Sequence, residues 1–423
     1  MTSKNQAKNQ AMECFVYVTL PGQTEAVTAG RFVPIKSRDG TPLGKFVYGK
    51  SYLARNDAAE IDPVELKLSD ETYETTRLGG VFGALRDAGP DYWGRRVIEK
   101  YSGKTVLGEI DYLLESPDDR AGALGFGLGQ EPPAPRRTFN KTLDLSKLQK
   151  IADDIVRDEI DGKDADAAQI QELTLIGTSM GGARPKTVVE DEQGLWIAKF
   201  NRPDDRWNFA KVEHAMLILA KKCGISAAES RVARVGGKDV LLVRRFDRFK
   251  TEKGYARTRM ISGLTLLQAD ENERERWSYI SMAEEMRRVV AKPSKDVPEL
   301  FRRMCFNALI SNLDDHPRNH ALIAKEREWN LSPAYDLTPS PVIAQDQRDL
   351  AMICGDRVRL ACASNVMSQH TRFLLGPAEA KKIIDDMRQS VSATWYDVVR
   401  AEGVSEKDAE AIRAAFVYEG FDR

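Results

Sequence analysis

The chain has 423 residues, of which 42% are hydrophobic, so it is long enough for two or more domains and too apolar for wholesale disorder. Its 63 Lys and Arg residues are balanced by 64 Asp and Glu residues, which excludes the global basic field typical of nucleic-acid-binding proteins. Five widely spaced cysteines without a CxxC pair argue against zinc and disulfide frameworks and favour a reducing compartment.

The sequence shows no targeting or membrane segment. Its first ten residues, MTSKNQAKNQ, lack the apolar core of a signal peptide. No stretch approaches the run of roughly 20 apolar residues that is needed to span a bilayer. The sequence therefore predicts a cytoplasmic protein that does not enter a membrane.

The N-terminal third shows strand patterns and then helical ones. The predicted segments are strands at residues 14–20, 32–35 and 45–53 and helices within residues 79–101. Gly89-Pro90 divides the helical pattern in two, because proline cannot continue a helix. The Pro-rich stretch QEPPAPRR at 130–137 is typical of a linker. We therefore expect a small α/β subdomain over residues 12–135.

Residues 136–246 show the element order of the N-terminal lobe of a protein kinase. A Gly-rich loop at 175–186 is followed by strands at 187–189 and 196–200, a helix at 208–222 and strands at 231–235 and 239–246. The helix has one apolar side and stops at Gly224. A loop, strand, strand, helix and hairpin in this order predict a kinase-like nucleotide-binding lobe.

After residue 246 the sequence pattern is mostly helical. The predicted helices lie at residues 279–290, 297–312, 378–391 and 405–418. We therefore expect residues 247–423 to form an all-helical C-terminal lobe that carries catalytic and metal-binding loops. The predicted fold class is α+β: a protein-kinase-like, two-lobed fold preceded by the extra N-terminal α/β subdomain.

Three demanding polar residues stand in kinase order within one short segment. Asp314 is followed five positions later by Asn319, and Asp336 comes next in the tripeptide Tyr-Asp-Leu. In kinases an Asp-x4-Asn loop supplies the catalytic base and one magnesium ligand, and a later Asp supplies another ligand. Singly, each residue fits a helix cap or a turn equally well. As an ordered set they predict phosphoryl transfer that depends on ATP and Mg²⁺, with Asp314 as the base and Asn319 and Asp336 as metal ligands.

Lys199 ends the short apolar strand WIAKF, where kinases place the Lys that holds the ATP phosphates. Glu213 lies on the following predicted helix and is the expected partner of Lys199. The alternative is a surface Lys whose aliphatic stem covers a strand end. The downstream motif that begins at Asp314 favours the nucleotide-binding interpretation.

Two further segments are predicted to contact the nucleotide. A Gly-rich loop can close its backbone N–H groups on phosphate oxygens, although this one matches neither the Walker A nor the protein-kinase pattern. Its nucleotide-binding residues are predicted to be Gly181, Gly182 and Ala183. The end of the last predicted strand corresponds to the kinase hinge, whose backbone pairs with adenine. Its residues are Arg245, Phe246 and Asp247. The alternatives are a surface loop and an ordinary strand exit.

His316 and His320 are spaced four residues apart among acids, as in some metallohydrolases. Pro317 disfavours a regular helix through them and no third His or Cys lies nearby in the sequence, so a zinc site is not expected. His316 is instead predicted to contact the nucleotide and to brace the catalytic loop by hydrogen bonds. Arg318 is predicted to pair with an acidic or phosphorylated group.

Together these segments resemble the HipA-like serine/threonine kinases, which are toxin components of bacterial toxin–antitoxin systems. The resemblance is carried by Ser179-x-x-Gly-Ala-x-x-Lys186, Arg-Phe-Asp-Arg at 245–248, Asp314-x-His-x-x-Asn319 and Leu-Ser-Pro-Ala-Tyr-Asp336. The segment DRAGAL at 119–124 resembles the small domain that this family carries ahead of its kinase core. The resemblance spans residues 14–420.

The resemblance implies ATP and Mg²⁺ as cofactors. It implies that Ser179, or the neighbouring Thr178, is autophosphorylated and that this modification silences the enzyme. A HipB-like helix-turn-helix antitoxin is the implied partner, with DNA contacted only indirectly through that antitoxin. The implied target is a cellular protein, such as an aminoacyl-tRNA synthetase, whose phosphorylation arrests growth.

The sequence departs from the family pattern at Arg245, where members often have Glu, and at Arg184-Pro185, where some have Gln-Glu. Two other functions stay open. One is a small-molecule kinase of the aminoglycoside or choline type, which shares the Asp-x4-Asn loop and the later Asp. The other is a non-catalytic pseudokinase scaffold or co-repressor, and the intact catalytic motif argues against it.

Overall fold

A five-stranded antiparallel sheet forms the centre of the N-terminal region. The computed structural model of the protein describes residues 13–102, 107–135, 139–141, 144–161, 184–341 and 346–422. The strands of this sheet are β1 Cys14–Thr19, β2 Ala26–Lys36, β3 Pro42–Tyr48, β4 Thr72–Thr75 and β5 Leu124–Gly127. Their order is β4-β3-β2-β1-β5. Phe32 and Phe46 lie directly opposite each other on β2 and β3, and both rings contact Phe82, which ties the sheet to the helices beside it.

Four short helices lie between strands of this sheet in the sequence, one before β4 and three between β4 and β5. They are α1 Lys50–Leu53, α2 Gly83–Asp87, α3 Tyr92–Ser102 and α4 Glu109–Glu115. The predicted break at Gly89-Pro90 is confirmed, since α2 and α3 lie on either side of it. The strand predicted to run to Leu53 ends earlier, at Tyr48, because α1 begins directly after Gly49.

Asp62 is a fully buried carboxyl of the N-terminal region. Its Oδ1 accepts hydrogen bonds from the backbone N–H groups of Val64 at 2.6 Å and Glu65 at 3.0 Å. Its Oδ2 is buried and has no hydrogen-bond partner among the described residues. Burial, reinforced by the Glu65 carboxylate, raises the pKa of Asp62 to about 7. The folded protein therefore favours the neutral carboxyl of Asp62 more strongly than the unfolded chain does.

The Asp62→Asn variant should lose one component of the pH dependence of stability. The stabilisation that comes from the raised pKa of Asp62 is full below the unfolded pKa of about 3.9 and is lost as the pH rises through the folded value. Asparagine keeps the Oδ1 acceptor and cannot ionise. Urea unfolding of both proteins between pH 4 and pH 8 measures this effect. The free energy of unfolding of the variant minus that of the wild type should become more positive as the pH rises. A difference that stays constant with pH would contradict the assignment.

A second five-stranded sheet follows, in the order β6-β7-β8-β10-β9. Its strands are β6 Asn140–Lys141, β7 Lys186–Asp191, β8 Gly194–Phe200, β9 Ser230–Val235 and β10 Lys238–Arg244. Two helices accompany it, α5 Leu145–Asp161 and α6 Phe209–Lys222. The element order predicted for residues 187–246 is confirmed. Trp93 and Val97 of α3 pack with Trp196 and Phe200 of β8 in one apolar cluster, so the N-terminal helices support this sheet.

The predicted all-helical C-terminal lobe is wrong, because residues 247–423 contain two small sheets. A hairpin pairs β11 Arg248–Thr251 with β12 Gly254–Arg257. A three-stranded sheet joins β13 Arg259–Ser262, β14 Ala321–Ala324 and β15 Asn330–Leu331. The strands of this three-stranded sheet are two to four residues long, and β13 pairs with a strand that lies far along the sequence, so local periodicity does not indicate them. Because β14 begins directly after His320, and the carbonyl oxygen of His320 accepts from the backbone N–H of Gly263 at 2.7 Å, this sheet fixes the end of the loop that begins at Asp314.

The remaining elements are helices. They are α7 Gly263–Leu266, α8 Tyr279–Val289, α9 Pro293–Leu309, α10 Ala363–Ser368, α11 Pro377–Ala401 and α12 Glu406–Ile412. The central helix α9 is buried along most of its length and shares one apolar core with α6, α11 and the N-terminal sheet. None of the described helices has both the length and the apolar composition to cross a bilayer.

Helix α6 is anchored to the C-terminal helices along its whole length. At its start the N-cap Asn208 donates its backbone N–H to Asp408 at 3.3 Å. In its first half His214 Nε2 lies 3.2 Å from Glu402 Oε2, and burial lowers the pKa of His214 in spite of that carboxylate. After its end the thiol of Cys223 donates to Ser390 at 3.6 Å.

Candidate active site

Lys199, Glu213 and Asp336 meet beside a cleft that is lined by the second five-stranded sheet, the N-terminal region and loops of the C-terminal region. The ammonium of Lys199, on β8, donates to Glu213 Oε1 at 2.6 Å and to Asp336 Oδ1 at 2.8 Å. Glu213 lies on α6 and is buried, whereas the side chain of Asp336 is 34% exposed to the cleft. The structure therefore brings Lys199 together with Glu213, 14 positions later in the sequence, and with Asp336, 137 positions later.

The charges of this group are mutually stabilised. Burial alone would raise the pKa of Asp336, but the Lys199 ammonium outweighs it and lowers that pKa to about 2. Burial likewise opposes the charge of Lys199, and the two carboxylates prevail and raise its pKa. Burial raises the pKa of Glu213 despite the nearby Lys199. At neutral pH Asp336 is thus an ionised carboxylate that faces the cleft.

Asp336 has a backbone φ of 58°, in the left-handed region that residues other than glycine rarely adopt. Tyr335, the preceding residue, is fixed on both sides. Its hydroxyl donates to the carbonyl oxygen of Arg318 at 2.8 Å, and its ring lies 5.7 Å from that of Phe246. A conformation of this kind persists where the surroundings determine it, and such residues cluster at functional sites.

The loop from Asp314 to Asn319 lines the same cleft with its last four residues, 316–319, while Asp314 lies beside it. It follows α9 and includes a short 3₁₀ helix, Pro317–Asn319. The Nδ2 of Asn319 donates to the carbonyl oxygen of Asp314 at 3.2 Å, which closes the loop on itself. The Asp314 side chain is exposed at the start of the loop. Although Asp314 is exposed to solvent, the protein around its carboxyl raises the pKa of that group. Desolvation by neighbouring residues and the Asp336 carboxylate together outweigh the opposing influence of His316.

A buried cluster of polar side chains holds the loop that begins at Asp314 in place through hydrogen bonds. Asp315 Oδ2 accepts hydrogen bonds from His320 Nε2 at 2.8 Å and from the hydroxyl of Tyr279. That hydroxyl also accepts from Asn307 Nδ2 at 3.2 Å. His320, and not His316, thus supplies the side-chain hydrogen bond that braces the loop. His316 contributes backbone hydrogen bonds, while its buried Nδ1 has no hydrogen-bond partner in the described part of the chain.

The charged side chains at the predicted hinge are engaged in a structural contact. The carboxylate of Asp247 accepts from Arg245 Nη2 at 2.7 Å and from Arg248 Nη1 at 2.8 Å. The two guanidinium groups also donate to the backbone carbonyls of Asp119, Arg120 and Gly122. We call this buried group of Arg245, Asp247 and Arg248 the arginine bracket. It fastens the N-terminal segment at 119–122 to the strand end at the cleft.

The cleft has a volume of about 520 Å³, which is in the range of small-molecule sites. Predicted residues that line it are Lys199, Arg245, Phe246, Asp247, His316, Asn319 and Asp336. The N-terminal region adds lining residues that the sequence analysis missed. They are Arg86, Asp87, Asp91, Tyr92 and Arg95. Nothing in the local sequence around these residues signals a site, since only tertiary packing brings them there.

Lys186 is a second lysine of the cleft that the predicted site omits. It lies opposite Lys199 in the register of β7 and β8, and its buried ammonium donates to Asp91 at 3.1 Å. It is also the last residue of the Ser179-x-x-Gly-Ala-x-x-Lys186 pattern, which is the signal that could have identified it. Five predicted residues lie outside the described residues. They are Thr178, Ser179, Gly181, Gly182 and Ala183.

The donor set fits Mg²⁺ bound together with a nucleotide. Asp336 offers an ionised carboxylate, and Asn319, whose amide nitrogen is engaged, offers its amide oxygen. Across the described ranges no group of three or more His, Cys, Asp and Glu side chains is arranged to hold a metal ion. Mg²⁺ typically takes one or two protein oxygens and completes its shell with substrate phosphates and water, so a sparse set of hard oxygen ligands suits it.

The chain is similar in sequence to curated bacterial proteins that are named as kinases. The chain is 26% identical over 154 residues to the Putative kinase Y4mE of Sinorhizobium fredii, a match that covers 35% of this chain and 37% of that protein. It is 26% identical over 191 residues to a Putative kinase of Haemophilus influenzae, covering 40% of this chain and 55% of the relative. The chain thus spans about one third to one half of these curated relatives.

One solved structure matches nearly the whole chain. It is HipA of the Shewanella oneidensis MR-1 toxin–antitoxin system, in a complex with HipB and its operator DNA. The TM-score is 0.66 over 95% of this chain and 94% of that one, at 15% identity, which shows a common fold with mixed helices and sheets. A family model described as the HipA-like C-terminal domain matches residues 178–395. Because that match covers just over half of the chain, the predicted membership is confirmed: the protein belongs to the HipA-like family.

Proposed function

We propose that the protein is an ATP- and Mg²⁺-dependent serine/threonine protein kinase of the HipA type. The observation that carries this proposal is the pair of hydrogen bonds from Lys199 to Glu213 and Asp336. A Lys–Glu pair beside a metal-binding Asp is the arrangement that a protein kinase needs in its active state. The names of the two bacterial relatives and the fold shared with HipA support the same conclusion.

Each side chain has a defined task in this reaction. Lys199 holds phosphate oxygens of ATP, and Glu213 keeps the Lys199 ammonium in place. Asp314 accepts the proton of the substrate hydroxyl as its oxygen forms a bond to the γ-phosphorus and the bond to ADP breaks. The raised pKa of Asp314 makes its carboxylate a stronger base than a free aspartate. The transfer rate should consequently fall as the pH drops through that pKa.

Asp336 and Asn319 would hold Mg²⁺ at the phosphates. When bound, the metal ion neutralises negative charge on the transferring phosphoryl group. The carboxylate of Asp336 is ionised and is oriented by its hydrogen bond from Lys199. The backbone at residues 245–247 would face adenine, while the side chains of Arg245 and Asp247 stay in the arginine bracket.

The Asp336→Ala variant should bind Mg·ATP much more weakly than the wild type. It removes one of two protein ligands of the metal and one of the two anions that hold Lys199. Calorimetric titration with ATP at fixed Mg²⁺, and again with EDTA, measures this change. The affinity of the variant for ATP should approach that of the EDTA-treated wild type. An unchanged affinity with Mg²⁺ would contradict the metal assignment.

The proposal extends to regulation and partners. Ser179 or Thr178 would be the autophosphorylated residue, and a phosphate dianion near Asp314 and Asp336 would be repelled from the cleft. HipA of Shewanella is seen with HipB and operator DNA, so we extend the proposal to a HipB-like helix-turn-helix antitoxin that mediates any contact with DNA. The substrate would be a cellular protein, such as an aminoacyl-tRNA synthetase, whose phosphorylation arrests growth.

The proposal also assigns residues 12–135 to the N-terminal subdomain, 136–246 to the nucleotide-binding lobe and 247–423 to the catalytic C-terminal lobe. The arginine bracket would then join the first of these units to the boundary between the second and the third.

Intact-mass analysis and phosphosite mapping after incubation with Mg·ATP test the proposal. The dephosphorylated wild type should gain one phosphate at Ser179 or Thr178, and the Asp314→Ala variant should gain none. ATP binding without any gain in mass would favour a small-molecule kinase. A chain that binds no ATP would be a pseudokinase scaffold, and either result would overturn the protein-kinase proposal.

A further inference from the structure

Asp87, the last residue of α2, reaches from the N-terminal region into the catalytic half of the molecule. Its side chain is 9% exposed. Its Oδ2 accepts from the backbone N–H of Ser262 at 2.6 Å and from Thr265 Oγ1 at 2.7 Å. Its Oδ1 accepts from Ser262 Oγ at 2.8 Å and from Arg318 Nη1 at 3.1 Å. All four donors lie at least 175 residues away in the sequence.

Arg318 connects Asp87 to both proposed metal ligands. It directly precedes Asn319 in the catalytic loop, and its carbonyl oxygen accepts from the hydroxyl of Tyr335, which directly precedes Asp336. The other arm of its guanidinium donates to Glu271 at 2.7 Å. Arg86, the neighbour of Asp87, donates to the same Glu271 at 3.0 Å. The guanidinium of Arg318 is thus held by Asp87, which belongs to α2, and by Glu271, which also binds Arg86 of α2.

The contact between α2 and α7 is close. A Cβ atom added at Gly83 would lie 2.5 Å from Thr265 Oγ1, so the backbone of α2 rests directly on the side chain that donates to Asp87. A gap this small leaves α2 little freedom to shift relative to α7, the helix that carries Thr265.

We infer that Asp87 is a positioning residue for the phosphoryl transfer proposed above, on which this inference rests. Through Arg318 it positions Asn319 and Asp336, so the N-terminal region contributes to the geometry of the active site. A carboxylate is required because all four of its partners donate hydrogen bonds. Each oxygen accepts from two of these donors, so the amide nitrogen of an asparagine would face two of them, and the charge that attracts Arg318 would be lost.

A double-mutant cycle tests this inference. The variants are Asp87→Asn, Arg318→Gln and the pair together, with kcat, KM and the Mg²⁺ concentration for half-maximal activity as readouts. Each single variant should lower kcat by about 10-fold or more, since a misplacement of about 1 Å can cost about 10²-fold. Each should also raise the Mg²⁺ requirement, and the double variant should be little worse than the worse single one. Asp87→Glu should recover part of the loss.

Asp57→Asn is the matched control. It alters another N-terminal aspartate that is paired with an arginine, here the exposed Arg55, far from the cleft. Its kcat and Mg²⁺ requirement should equal those of the wild type. If Asp87→Asn fails to fold, Arg318→Gln tests the same link without touching Ser262 or Thr265.

Two outcomes would overturn the inference. One is independent, multiplicative effects in the cycle, and the other is a loss of thermal stability with kcat and the Mg²⁺ requirement unchanged. An inactive wild type would refute the proposed function separately. In that case the cycle is measured on Mg²⁺-dependent ATP affinity, where independent effects of the two substitutions would again overturn the role of Asp87.

Discussion

The Asp314→Ala variant should lose phosphoryl transfer and keep Mg·ATP binding. The Lys199 ammonium bonds to Glu213 and Asp336 and not to Asp314, so the phosphate-holding group survives the substitution. Removal of the carboxylate leaves the substrate hydroxyl without a proton acceptor, which typically costs about 10²–10⁴-fold in rate. Phosphate incorporation measured by intact mass, beside ATP affinity from calorimetry, separates the two effects.

An exposed acid outside the cleft provides the control for this experiment. Asp385→Ala removes a carboxylate of α11 that pairs with Lys381 on the surface. It should change neither ATP affinity nor phosphate incorporation. Retention of most transfer activity in Asp314→Ala would rule out a base at this position, and a parallel loss of ATP affinity would show that Asp314 helps to bind the nucleotide.

The Asp247→Ala variant should be severely destabilised, by about 3–5 kcal/mol, because two buried guanidinium groups would lose their shared anion. Arg245 and Arg248 are buried and both donate to Asp247, so the substitution leaves two neighbouring positive charges. The backbone N–H of Gly122 would also lose its acceptor. Urea unfolding monitored by fluorescence and circular dichroism gives the free energy of unfolding of each protein.

The pH dependence offers an independent check of this prediction. Burial works against the charge of Asp247, and the two arginines outweigh it and hold its pKa well below the usual range. A lowered folded-state pKa stabilises the protein above the unfolded value of about 3.9, and this contribution is lost as the pH falls through the folded one. The wild type should therefore lose its advantage over Asp247→Ala on acidification below about pH 4. A difference that does not depend on pH would argue against a paired carboxylate here.

The local parts of the candidate site could be predicted from the sequence. Lys199 ends an apolar strand and Glu213 sits on the next amphipathic helix, so periodicity alone places both. Asp314, Asn319 and Asp336 lie on short connections whose order is informative without a structure. The structure places Lys199, Asn319 and Asp336 on the lining of one cleft, with Glu213 hydrogen-bonded to Lys199 and Asp314 hydrogen-bonded to Asn319 beside it. It also adds the positive φ of Asp336, which no sequence pattern indicates.

The long-range contacts could not be predicted. Asp87 and Arg318 are 231 residues apart, and a single aspartate after a short helix resembles any surface acid. Arg245 and Asp247 were predicted to contact the nucleotide at the hinge, with an ordinary charged strand exit as the alternative. Their side chains are instead buried, and the N-terminal carbonyls that accept from Arg245 lie more than 120 residues upstream. Burial of a charge depends on partners from elsewhere in the chain, and local composition gives no information about them.

The anchoring of α6 has a consequence for control of the enzyme. In many protein kinases the helix that carries the conserved Glu moves, and breaking its pair with the Lys switches activity off. Here that helix is secured to Asp408, Glu402 and Ser390, so its displacement would disrupt the C-terminal helices as well. On the proposed kinase function, inhibition by displacement of α6 is therefore disfavoured, because the helix cannot shift without breaking these three contacts. The segment from Ser390 to Asp408 would then support catalysis from outside the cleft, by holding the helix that carries Glu213.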